Sequence, residues 1–179
     1  MKRIDIETKL NEGRNWLLAT FEGLSEEQRR APLTQSENDP DSHWSAQDHL
    51  AHLALIERDF AKMIRRQIEG HSNPVGLRTD KSGQERSRED IMARVHKHTE
   101  SFKVEHESDT FEEVVALTCA ARGETLLLLA ELTDDQLKET LMGAPWADGT
   151  IGGVLANNAD HATRHWRWML DAGLAEPVE

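Results

Sequence analysis

Five stretches of the chain space their apolar residues three and four apart, and four of the five open on a serine or threonine able to cap a helix. Ile4 to Leu24 is the first, with Ile6, Leu10, Trp16, Leu17 and Phe21 at roughly helical spacing. In the second, Ser45 stands three residues before Asp48, a capping-box pair, and the apolar repeat runs to about Ile68, with Gly70 as the stop. Ser87 and Asp90 mark a third helix, running to about Phe102 and polar outside Ile91, Met92 and Val95. Thr110 with Glu113 precedes Val114 to Leu132, whose leucine run predicts the most enclosed helix of the set. Thr150 caps the last, Ile151 to about Ala172, and Gly173 ends it. No stretch alternates with the period of two that a half-buried strand requires. The pattern predicts an all-α fold, a four-helix bundle with an additional short helix, in a single domain spanning residues 1–179.

Two segments read as surface connections: residues 25–43, with two prolines and many turn formers, and residues 71–86. Gly149, Gly152 and Gly153 near the start of the last helix match neither Walker nor dinucleotide spacing, and no strand precedes them, so a phosphate cradle is not expected.

Composition narrows the partners. A formal charge of −12 repels phosphate backbones, and the one basic cluster, Lys62, Arg65 and Arg66, is short, so nucleic acid is not an expected partner. The longest uninterrupted apolar run, Leu126 to Ala130, is far below a membrane span, and the N-terminus lacks the apolar core of a secretory signal. Cys119 is the single cysteine; without a nearby Cys-X-X-Cys or basic group it reads as a small buried hydrophobe, and the chain needs no oxidising compartment. A cytoplasmic protein is expected, with dimerisation through an apolar helix face as the expected assembly.

The last helix carries the chemistry. Val154, Asn158, His161, His165 and Trp168 fall on one narrow stripe, and two imidazoles four apart can share one divalent ion. On the second helix His52 shares a stripe with Leu53, Ile56, Phe60 and Met63, which makes it the natural third ligand. His49, one turn earlier and about 60° around the helix, is a weaker candidate for the same place. Three neutral imidazoles buried together leave polar nitrogens to satisfy, and a metal satisfies one on each ring. Zinc, nickel, copper and iron all suit imidazole. A haem bundle is disfavoured by the absence of a C-x-x-C-H attachment motif. The histidines at 43, 71, 96, 98 and 106 are expected in solvent, and Trp44 and Trp146 are the aromatic candidates for a pocket because they precede the two ligand-bearing helices.

These residues resemble the DinB/YfiT-like superfamily of metal-binding four-helix bundles. WSAQDHLAHLALIE is similar to the family's second-helix pattern, whose histidine is here His52, and GTIGGVLANNADHATRH to its last-helix pattern, whose two histidines are here His161 and His165. The chain departs from many relatives in having Trp166 and Arg167, not arginine and glycine, after the last ligand. The resemblance implies a divalent ion, zinc or nickel, held by His52, His161 and His165 with open positions. It implies a metal-dependent hydrolase, or a transferase using a low-molecular-weight thiol, acting on a small electrophilic molecule. The alternative is a non-catalytic structural or interaction module tied together by the ion. No general base is evident: Glu57 and Asp160 point away from the ligands and read as solvated or supporting groups.

Overall fold

The computed structural model describes residues 1–36, 39–80 and 82–174. Among them are six helices: α1 (Arg3–Glu22), α2 (Glu26–Arg30), α3 (Ala46–Ile68), α4 (Arg88–His106), α5 (Phe111–Glu131) and α6 (Ile151–Asp171). A two-stranded hairpin, β1 (Thr34–Gln35) with β2 (His43–Trp44), pairs antiparallel with Thr34 opposite Trp44. The four long bundle helices pack in a ring, α1 on α6, α6 on α3, α3 on α5 and α5 on α1, while α4 lies outside against α3.

The caps read from the sequence form as expected. Ser45, Ser87, Thr110 and Thr150 each accept a hydrogen bond from a backbone N–H in the first turn of the helix that follows, satisfying one of its orphan donors. Ser25 does the same with Gln28 at the start of α2, inside a segment expected to be loop. That capping box, Ser-Glu-Glu-Gln, was there to be read.

Apolar burial fills two neighbouring clusters. One joins Ile6 and Leu10 of α1, Phe60 and Ile64 of α3, Leu128 and Leu129 of α5 and Val154 and Leu155 of α6. The other joins Leu17 and Phe21 to Leu50, Val114, Trp166 and Met169. At about 1.5–3 kcal/mol for each large side chain removed from water, these clusters are the main force holding the ring together.

Three expectations need correction. The enclosed helices are α3 and α6; α5 buries one face only, and Leu127 of its leucine run is 65% exposed because the run wraps around the helix. The additional helix, α4, has 19 residues and is not short. Cys119 is exposed, on the outer face of α5, and Arg14 Nη2 lies 2.6 Å from its sulfur. No helix among the described residues is long and apolar enough to cross a membrane.

The glycines of the last helix are explained by close approach. A Cβ on Gly152 would meet the Leu137 carbonyl oxygen at 3.0 Å and Ile6 Cδ1 at 3.2 Å, so its absence lets the start of α6 seat against α1 and the turn at Gln136–Lys138.

Candidate metal centre

α3 and α6 are neighbours in the ring, and their histidines meet. One ring nitrogen from each of His52, His161 and His165 lies within 4.8 Å of the other two. His161 and His165, one turn apart on α6, point their Nε2 atoms at each other across 2.9 Å. His52 lies beside both, at centroid distances of 5.4 Å to His161 and 4.9 Å to His165, and its Nδ1 is buried without a hydrogen-bond partner.

Burial keeps these rings neutral. It is the largest cause for each, and mutual repulsion among the cations adds to it at His52 and His161; His52 falls well below the usual 6.5, and His161 falls from 6.5 to about 2. His165 falls to about 4, through burial and then the Arg164 charge. Neutral imidazole is the ligating form, so near neutral pH the cluster presents free-base nitrogens with no carboxylate among them. An orphaned nitrogen and two facing nitrogens make a donor set that fits one divalent ion.

His49 belongs to the same cluster in a different place. It is completely buried, with Nδ1 2.8 Å from His165 Nδ1 and Nε2 2.7 Å from the Thr34 hydroxyl. Burial, then His165 and His161, takes it from 6.5 to about 3.

Two cavities open on the triad. The larger, about 500 Å³, has His52 and His161 in its wall together with Phe60, Met63, Val95 and Trp146. The smaller, about 220 Å³, has His52, His165, Trp44 and Trp168. Val95 and Thr99 of α4 line both, so the additional helix covers the site. It is pinned there by Glu100, whose carboxylate accepts from Trp44 Nε1 at 2.9 Å, from Ser42 Oγ at 3.2 Å and from Ser36 Oγ.

A family model described as the DinB superfamily matches residues 9–169. This chain belongs to the DinB superfamily. Along 97% of its length, and 96% of the other chain's, it is similar to the crystal structure of an uncharacterised protein from Escherichia coli UTI89, with a TM-score of 0.62 and 16% identity, a likeness of fold. No curated protein matches the sequence.

In this DinB-superfamily chain the three expected ligands come together, and both expected pocket tryptophans line cavities, Trp44 the smaller and Trp146 the larger. The stripe His52, Ile56, Phe60 and Met63 faces the larger cavity. Glu57 turns away, as expected, but into a buried ion pair with Arg122, and Asp160 pairs at the surface with Lys9. His43 and His71 lie in solvent as anticipated. His98 is likewise exposed, although it borders the larger cavity with Nε2 2.8 Å from Asp59 Oδ2, whereas His96, in the wall of the smaller cavity, and His106 are half-buried. Trp168, on the same stripe as His161 and His165, joins Trp44 in the smaller cavity, its ring 5.1 Å from that of His49, and α4, a polar helix whose place the sequence left open, covers the site.

Proposed function

We propose that the chain is a metal-dependent enzyme, a hydrolase or low-molecular-weight-thiol transferase, whose zinc or nickel ion is held by His52, His161 and His165. The observation that carries this reading is the convergence of three neutral imidazoles, two of which, His52 and His161, line a cavity of about 500 Å³. Three protein ligands beside a small-molecule-sized space suit a catalytic centre, whereas a structural site is closed by a fourth ligand. When bound, such an ion supplies Lewis acidity, making a water or a thiol a stronger acid and an electrophile more reactive.

The chain's own groups do the rest. Phe60, Met63, Leu77, Val95 and Trp146 give the cavity an apolar wall that takes the body of a small electrophilic substrate and excludes water from it. Asp59 accepts a hydrogen bond from His98 Nε2, which leaves Nδ1 of that exposed ring as the base for a proton released during reaction.

The test is elemental analysis of the purified parent beside His52→Ala and His161→Ala. Stoichiometric metal in the parent and its loss from both variants is expected; equal metal in all three removes the assignment. Turnover of electrophiles with water or thiols by the loaded parent, lost in His98→Ala with metal retained, supports the enzyme reading; loaded protein inert toward the whole panel favours a structural ion.

A further inference from the structure

We propose that His49 is a positioning residue that sets the tautomer of His165, so that its Nε2 lone pair faces the metal centre. The inference rests on the metal reading above and goes beyond it in giving His49, Thr34 and the β1–β2 hairpin a part in the site.

Three contacts run in series. Thr34 Oγ1 lies 2.7 Å from His49 Nε2, His49 Nδ1 lies 2.8 Å from His165 Nδ1, and His165 Nε2 lies 2.9 Å from His161 Nε2. A neutral imidazole carries one N–H and one lone pair, so the protons along this line are not independent. For His165 to offer its Nε2 lone pair, its proton must sit on Nδ1. That N–H then donates to His49 Nδ1, which must be bare, and the His49 proton sits on Nε2, where it donates to the Thr34 hydroxyl. The opposite sense puts a proton on His165 Nε2 and closes the lone pair. Metal-ligating imidazoles commonly donate their other N–H to an oxygen acceptor, which fixes the ring and raises its basicity. Here the acceptor is a second imidazole, itself anchored to a hydroxyl.

The geometry also excludes His49 as a fourth ligand, since both of its nitrogens already have partners. Its ring packs against Trp44 in a tilted contact and against Trp168 edge-on, at centroid distances of 5.4 and 5.1 Å. It is fully buried, so bulk water cannot take its place. Thr34 is delivered by the hairpin, whose register sets it opposite Trp44 just before α3 begins.

Zinc titrations against a chromophoric chelator, with parent, His49→Phe and His49→Gln, read the effect. The phenylalanine fills the space without accepting a hydrogen bond and is expected to weaken zinc binding roughly 10- to 100-fold. Glutamine, whose carbonyl can accept from His165 and whose amide can reach Thr34, is expected to recover most of that loss. Long-range nitrogen–proton spectra of the zinc-loaded parent are expected to show His165 protonated on Nδ1 and His49 on Nε2; these spectra decide the matter if the phenylalanine variant does not fold. Zinc affinity unchanged in His49→Phe, or His165 protonated on Nε2, overturns this inference and leaves the metal reading standing. A parent that binds no zinc overturns both.

Discussion

Arg122 of α5 and Glu57 of α3 form a two-pronged ion pair, Nε to Oε1 at 2.6 Å and Nη2 to Oε2 at 3.2 Å, with side chains only 8% and 11% exposed. The third guanidinium nitrogen donates to the Leu10 carbonyl of α1, so one side chain ties three bundle helices together. Removing one member of such a pair strands the other charge in a poorly hydrated interior. Arg122→Ala is therefore expected to lower unfolding stability by about 3–5 kcal/mol, read from denaturant midpoints. A loss below the range of ordinary surface substitutions would mean that water reaches Glu57 freely.

Metal should act as a ligand of the folded state alone. Zinc at about one hundred times its dissociation constant is expected to stabilise the parent by about 2.7 kcal/mol, seen as a rise in Tm. His161→Ala, lacking one of the converging nitrogens, should show no comparable rise.

The buried histidines set a pH dependence whose sign follows from proton counts. Unfolded, each binds a proton below about 6.5, whereas folded His165 does so only near 4, His49 near 3 and His161 near 2. The unfolded state thus holds more protons throughout that interval, so the stability is fully present above 6.5 and is lost as pH falls toward 4. Without metal, the slope is expected to reach at least about 1.4 kcal/mol per pH unit, one proton's worth. Urea midpoints of the parent should fall across this window, and those of a triple variant with alanine at 52, 161 and 165 should fall much less.

Gly152→Ala tests the seat of α6. The added Cβ would sit 3.0 Å from a backbone oxygen that cannot turn aside, so the helix itself must shift. A cost of about 1–3 kcal/mol is expected, together with weaker zinc binding, because the same helix carries His161 and His165.

Cys119, exposed on α5, should react with a water-soluble thiol reagent in the native protein. Reaction only after unfolding would return it to the core, where the sequence pattern had placed it.

How much was legible varies by element. The caps at Ser45, Ser87, Thr110 and Thr150 are local chemistry between residues three apart, and all four appear where expected. The pairing of His161 with His165 is equally local, since a helical turn brings positions four apart together whatever surrounds them. Periodicity failed on α5, where four consecutive leucines point around the whole helix and cannot say which side meets α3. For His49 it went no further than a rank behind His52, because the angle at which α3 faces α6 is set by packing against two neighbours at once.

By itself, then, the order of residues determined which segments coil, where each begins, and which imidazoles share a helix face, since every one of these depends on neighbours within a turn of the chain. Only the tertiary structure decided that His52 meets His161 and His165, that His49 stands behind His165 with Thr34 at its back, and that α4 roofs the two cavities. Those relations join residues up to 116 positions apart. They arise from the register in which whole helices bury their apolar faces, a property of the assembled ring that no single stretch contains.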